Sequence, residues 1–330
     1  MDAVDRVIAR IEALSSQDIQ RRNIGLLADH VRGNLGRAAA SIARHPQPSV
    51  AIITGFFLEH GEPANCETDG PPGAAMLAAG LSSSGIPCRV VTDVPNARVV
   101  RTTLAAADRD GRVPIDVVSM FDGGGDGGSP LADVARSWQE ASPAISHVIA
   151  IERCGPSHDG APRDARGVDI TKYNAPLERL FSGGPWTTIG IGDLGNELGM
   201  GSLPHELVAH NIARGRQLWC PIACDYPIVG GVSNWSGAAL LGAIALLWSG
   251  RTDGMIDAMH PQFALHLLKA AVLQGGAVAS RDPGDIPHPQ LFVDGQPWPV
   301  LEAVFREIHK ICSSYLGGST GGPKFQAEAP

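Results

Sequence analysis

Thr187-Thr188-Ile189-Gly190-Ile191-Gly192-Asp193-Leu194-Gly195-Asn196-Glu197-Leu198-Gly199-Met200-Gly201 is the stretch on which the fold turns. Its first half is short, apolar and β-branched and ends in glycine, the pattern of a buried strand reaching a sheet edge. Its second half sets Asp193, Asn196 and Glu197 among glycines, which let a backbone turn tightly and let a ligand come close. The three polar side chains offer oxygen ligands and hydrogen bonds. Asp193 and Glu197, four apart, can meet on one side of a turn or helix start. The plainer reading is a strand-to-helix connection capped by Asp193 or Asn196; the density of glycine favours a site.

Upstream, Pro176, Leu177, Leu180 and Phe181 predict a short helix, preceded by a loop from Cys154 to Thr171 that carries Arg163, Arg166, Gly167 and Asp169. Before that loop, the strand His147 to Ile151 ends in Glu152-Arg153. An acid and a base at a strand end read either as a substrate contact or as a structural ion pair. Downstream, Pro204 to Ala213 reads as a helix bearing His205, Glu206 and His210. It is no zinc-protease helix, because Ala209 stands where the second histidine is required. Asp225 to Val229 is a strand, and Gly230 to Gly237 turns into a buried apolar helix reaching Trp248, with Ser233 and Asn234 as caps and Asn234 also within reach of a ligand.

Further out, Val50 to Thr54 before Gly55, Arg89 to Asp93 and Ile115 to Met120 are strands. Between the first two, Pro72, Met76, Leu77 and Leu81 mark a helix ending at Gly85, with Glu67 and Asp69 just ahead of it. Capping explains one such carboxylate; the pair also suits a cation. Helices are predicted from Asn96 to Ala107 and from Leu131 to Trp138. The run Phe121 to Gly128 is a glycine loop, and with no Lys-Ser or Lys-Thr after it, it is no phosphate loop. Val4, Val7, Ile8, Ile11 and Leu14, then Ile24, Leu27, Val31, Leu35 and Ile42, predict a helical lead over 1–46. Ile256 to Leu273 and Val300 to Ile311 are helical, with a proline-rich loop, Pro283 to Pro299, between them. The tail from Gly317 reads as flexible.

Strands alternating with helices predict an α/β fold, a mostly parallel sheet with helices on both faces behind the helical lead, in a single domain over 1–316. Ligands of such sheets bind beyond the strand carboxyl ends. That rule gathers Gly55, Glu67, Asp69, Asp93, Asp122, Glu152, Asp193 and Glu197 on one rim. The 330 residues are 44% hydrophobic, enough for a large core. A net charge of -8 without a dense Lys/Arg cluster argues against nucleic acid. No apolar run is long enough to span a bilayer, which argues against a membrane. Six scattered cysteines behind an amphipathic opening suit a reducing cytoplasm.

Glu67-Thr68-Asp69-Gly70-Pro71-Pro72-Gly73-Ala74, Glu152-Arg153, Arg166-Gly167-Val168-Asp169, the glycine-rich stretch through Gly201 and Val232-Ser233-Asn234-Trp235 occur in the order of one known family. Over most of its length the chain resembles the D-glutamate cyclase-like C-terminal domain family. It departs from that family at Leu194, where glycine is usual, and at Ser236-Gly237-Ala238. The resemblance implies an α/β fold with an acidic pocket able to hold a divalent cation, and a hydro-lyase closing D-glutamate, or a related amino acid, to a 5-oxoproline-type lactam.

That chemistry needs a proton removed from the amine, the carboxylate neutralised, its leaving oxygen protonated and the chain folded into a ring. On the resemblance, Glu67, Asp69, Asp193 and Glu197 are the candidate ligands of Mg²⁺ or Mn²⁺. Glu152 or Asp169 is the candidate proton carrier. Arg153 or Arg166 is the fork for the α-carboxylate, and Gly55, Asn196 and Asn234 complete the substrate contacts. No organic cofactor is expected; the partner is a small amino acid, and a homo-oligomer is compatible with the sequence. The alternatives are a nucleotide- or phosphate-binding protein, or a non-catalytic metal-binding protein, on the same fold.

Overall fold

Six strands lie side by side in one parallel sheet: β1 (Val50–Thr54), β4 (Cys88–Asp93), β5 (Ile115–Val118), β6 (His147–Ile151), β7 (Thr187–Gly192) and β8 (Tyr226–Val229), in the order β5-β4-β1-β6-β7-β8. The computed structural model describes residues 2–60, 64–120, 130–279 and 290–317. The glycine run Phe121 to Gly128 with Asp122, part of the proline-rich loop after Pro283, and the tail beyond Gly317 fall outside the described residues. Short antiparallel hairpins are formed by β2 (Phe57–Leu58) with β3 (Asn65–Cys66), and by β9 (Phe292–Val293) with β10 (Gln296–Pro297).

The side-chain period of two sends alternate strand residues to opposite faces. Val50 and Ile52 of β1 and Ile149 and Ile151 of β6 enter one apolar core; Ala51, Ile53, Val148 and Ala150 enter the other. Both faces are buried, so the strands are near-continuous apolar runs. The first face is covered by the lead helices α1 (Ala3–Ser15) and α3 (Asn34–Ala43) together with α4 (Pro71–Ser83) and α5 (Ala97–Ala107), while α2 (Gly25–His30) packs in a separate cluster with Leu194, Met200 and Val208. The second face carries α6 (Pro130–Glu140) and α7 (Glu178–Phe181). Then follow α8 (His205–Asn211), α9 (Gly215–Leu218), the buried α10 (Ser233–Leu247), α11 (Asp253–Ala258), α12 (Pro261–Lys269) and α13 (Trp298–Tyr315).

Two helices expected from periodicity are broken. Gly33 takes φ +86° between α2 and α3, and the Glu12 carboxylate accepts hydrogen bonds from the Gly33 and Leu35 amides. Pro261 starts α12 after α11 has ended, with the His260 ring accepting from the Gln262 amide. The glycine-rich stretch leaves β7 as a loop; the next helix begins only at His205.

The chain winds outward from β1 in one direction, then crosses over and continues from β6 in the other. The crevice at such a reversal, past the carboxyl ends of β1 and β6, is where doubly wound sheets bind ligands.

Candidate active site

Four backbone turns build the site. At the end of β7, Glu197 folds back over its own loop: Oε1 accepts from the Asp193 and Leu194 amides at 2.8 Å each, and Oε2 from the Gly195 amide at 2.7 Å. Gly192 permits this, since a Cβ there would lie 2.5 Å from the Glu197 carboxyl carbon. The loop amides that a phosphate would need are therefore already bound by a carboxylate, which removes the ground for an anion nest.

The second turn joins two helix starts. Asp69 precedes α4 but caps α10: its carboxylate accepts from the Ser233 amide at 2.7 Å and the Asn234 amide at 2.8 Å. Asn234, in α10, caps α4 in return, accepting from Gly70 at 3.1 Å and Gly73 at 2.7 Å while donating to the Thr68 carbonyl. Each helix has the orphan donors of its first turn satisfied by the other. Gly73 makes the approach possible, because a Cβ there would meet Asn234 and Ile151 within 3 Å.

Third, Glu152 follows β6 at φ +44°, a strained conformation for a residue with a side chain. Ser233 Oγ donates to its carboxylate at 2.6 Å. The fourth turn is the tight β9–β10 connection, where Asp294 (φ +50°) and Gly295 (φ +71°) fit the mirror-image turn of a two-residue hairpin. Asp294 is thereby delivered to Arg22 and Gln20 from the α1–α2 connection. Arg22 Nη1 lies 2.5 Å from Asp193 Oδ2 and its Nη2 3.7 Å from Asp294 Oδ1. Gln20 Nε2 donates to Asp294 at 3.0 Å and to the Gly231 carbonyl at 2.9 Å.

The resulting pocket is lined by Arg22, Glu67, Glu152, Asp193, Leu194, Asn196 and Asp294 among others. Oxygens of Asp69, Asp193 and Asp294 lie within 4.8 Å of one another, as do those of Glu152, Asp193 and Glu197, so Asp193 is common to both groups. Glu67 Oε1 is buried and has no hydrogen-bond partner among the described residues. Burial pushes the carboxyls of Glu67, Asp69, Glu152 and Asp193 well above the ordinary carboxylate range; neighbouring carboxylates add to it, chiefly Asp294 for Glu67 and Asp69, and Asp193 for Glu152. Arg22 opposes the rise at Asp193. Its own guanidinium is held above its usual value, burial being outweighed by Asp193, Asp294, Glu152 and Glu67.

Of the candidate ligands named from the sequence, Asp69, Asp193 and Glu197 fall in these oxygen groups with Glu152, and Glu67 lines the same pocket. Asp69 and Glu197 are turned to backbone amides, whereas Glu67, Glu152 and Asp193 face the pocket. Asn196 lines it and donates to the Arg163 carbonyl. Arg153 lies beneath: it is fully buried, pairs with Asp93 at 2.7 Å and donates to the Gly55 and Ala175 carbonyls. Arg153 is thus in a structural ion pair, but with Asp93 and not with the neighbouring Glu152, which is bonded by Ser233. Gly55, at φ +109°, supplies that carbonyl from the floor. The 154–171 loop reaches the pocket through Ala165, while half-buried Arg166 is not among the residues lining it. Asp169 is exposed, bonded by the Thr171 hydroxyl and amide, and held below the usual carboxylate range by them.

Sequence reasoning missed Arg22, Gln20 and Asp294. The Asp294-Gly295 pair was a readable hairpin signal. Arg22 sits in Gln17-Asp18-Ile19-Gln20-Arg21-Arg22-Asn23, a polar break in helical periodicity that carries no motif.

A doubly wound α/β protein with a buried anionic pocket at its strand-order reversal is the class that fold and site define. The chain belongs to the D-glutamate cyclase-like C-terminal family, whose sequence model matches residues 11–309. It is 30% identical over 282 residues to human mitochondrial D-glutamate cyclase, an alignment covering 84% of this chain and 42% of the human protein. The chain thus spans less than half the length of that relative. Among the described residues no helix is long and apolar enough to cross a membrane, and all six cysteines are free thiols.

Proposed function

We propose that this chain closes D-glutamate, or a close relative of it, to a 5-oxoproline-type lactam with loss of water. The observation that carries this reading is the pocket itself, with Glu67, Glu152, Asp193 and Asp294 around one guanidinium.

In the reaction the α-amine attacks the side-chain carboxyl carbon, a C–N bond forms and a C–O bond breaks. Of the three ammonium protons, one stays on the lactam nitrogen and two leave on the expelled oxygen as water. Glu152 is the proton carrier: it accepts from the ammonium and returns a proton to the leaving oxygen, and its raised affinity for protons fits it for both. Ser233 fixes the carboxyl orientation from its helix start. Asn196 orients the substrate, and Leu194, packed with Leu27, Val208 and Val229, bounds the pocket with an apolar wall.

The donor set fits a hard divalent cation. It is all oxygen, it converges, and Glu67 Oε1 has no other partner. Asp69, Asp193 and Asp294, or Glu152, Asp193 and Glu197, would hold Mg²⁺ or Mn²⁺, with Glu67 lining the same pocket. Bound there, the ion supplies Lewis-acid polarisation of the substrate carboxylate.

Purified protein incubated with D-glutamate and Mn²⁺ or Mg²⁺, with L-glutamate as comparison, is expected to form oxoproline, followed by proton NMR. Absence of product above the spontaneous rate under every condition rejects the reading.

A further inference from the structure

We infer that Arg22 exchanges partners: it stands in for a cation among the pocket carboxylates, and when a divalent ion takes that place it turns to hold a carboxylate of the amino acid. This rests on the cyclase reading above. Among the described residues lining the pocket, Arg22 is the one cation, set against Glu67, Glu152, Asp193 and Asp294. A pocket so anionic repels an anionic amino acid unless positive charge is supplied. Arg153, the fork named from sequence, is consumed by Asp93 and two carbonyls.

The local backbone is built to present this side chain. Arg21 at φ +56° and Asn23 at φ +65° flank it, two non-glycine residues in the left-handed region. The Asp18 carboxylate accepts from the Arg22 and Asn23 amides at 2.8 Å each. The main chain is thus pinned by Asp18, while the ion pairs of the side chain, 23% exposed, are made at its guanidinium tip. Gln20 spans the same two acids, 3.0 Å from Asp294 and 3.5 Å from Asp193. It keeps those carboxylates in register after the guanidinium leaves. Glu67 Oε1, buried and unpartnered, is the independent sign that the cluster awaits a ligand beyond Arg22. A divalent ion outcompetes a monovalent guanidinium for converging carboxylates, and a freed guanidinium fork matches a carboxylate.

The test uses Mn²⁺, read by its electron paramagnetic resonance, and glutarate, a five-carbon dicarboxylate without an amine, titrated calorimetrically with Mn²⁺ present. Arg22→Gln removes the competing charge, so Mn²⁺ is expected to bind about tenfold more tightly, while glutarate binding falls about tenfold to a hundredfold. Opposite signs are the signature; a structural role for Arg22 weakens both. Arg22→Lys, which keeps a charge without the fork, is expected to shift both in the same two directions by less, and it decides the matter if Arg22→Gln does not fold. Equal shifts, no shift, or wild-type protein that binds no Mn²⁺ overturns the exchange. Neither measurement uses turnover, so a failed cyclisation assay and a failed exchange are separate results.

Discussion

Glu67 and Asp69 stand two positions apart, are equally hidden from water, and differ in what their oxygens meet. Asp69 accepts three amide hydrogen bonds, from Gly70, Ser233 and Asn234, whereas one oxygen of Glu67 meets no donor. From sequence, capping accounted for one acid of the pair and left the other open, which is how the two divide; that the capped helix is α10 rather than α4 was not legible. Opposite responses to neutral isosteres follow. Glu67 is pushed up by burial, so as pH rises past the unfolded value the unfolded chain ionises first and the fold loses stability. In chelator, Glu67→Gln is expected to raise the Tm by about 2–4 °C at pH 8, on the order of 1 kcal/mol, with the gain vanishing towards pH 4.5. Asp69→Asn turns amide hydrogens against amide donors and is expected to cost about 1–3 kcal/mol. Differential scanning fluorimetry across pH reads both; a destabilised Glu67→Gln at pH 8 contradicts the account.

At the level of elements, α4 and α10 are apolar on all sides and buried; the sequence marked both as helices and α10 as a buried one. Their mutual capping was not legible, because it joins residues more than 160 positions apart, beyond any local pattern. The same limit hid Arg22 and Asp294, which sit on connections where periodicity is silent. Closeness at the helix starts depends on Gly73. A methyl group there would lie 2.7 Å from Ile151 Cδ1, 2.8 Å from Asn234 Oδ1 and 3.0 Å from Asn234 Cα. Ile151 has a side chain that can give, but the Asn234 backbone cannot. Gly73→Ala is therefore expected to break the Asn234 cap and cost about 2–4 kcal/mol, seen as a lower urea midpoint with an unchanged m value. Gly85→Ala, with open space around its Cβ position but φ +82°, is expected to cost only the backbone strain, about 1 kcal/mol. An equal loss at both positions refutes the steric argument.

Across the whole molecule, the alternation of strands and helices was legible because both sheet faces are covered, so each strand reads as a plain apolar run. Strand order was not, since a sequence records succession and not neighbours; only the order places the ends of β1 and β6 side by side and makes their rim a pocket. Stability over pH then has two limbs of opposite slope. His147, the buried first residue of β6, is lowered to about 4 by burial and by His45. Its contribution is complete above pH 6.5 and is lost as pH falls through about 4. The pocket carboxylates act the other way, their penalty growing as pH rises above the unfolded carboxylate range. Above pH 6.5 the His147 limb is flat, so a decline that sets in there belongs to the acids, while the buried thiols, also pushed up by burial, add theirs only towards pH 9. A cation that binds only the folded pocket cancels that decline, stabilising by RT ln(1 + [L]/Kd), about 2.7 kcal/mol at a hundredfold excess over Kd. Chelator-treated protein is expected to lose Tm between pH 6.5 and 8.5, and Mn²⁺ to restore it most at pH 8.5 and least at pH 5.5, where protons compete for the same oxygens. Asp193→Asn, which removes the carboxylate shared by both oxygen groups, is expected to abolish the Mn²⁺ response. A Tm rise independent of pH, or one that survives Asp193→Asn, places the cation elsewhere on the protein.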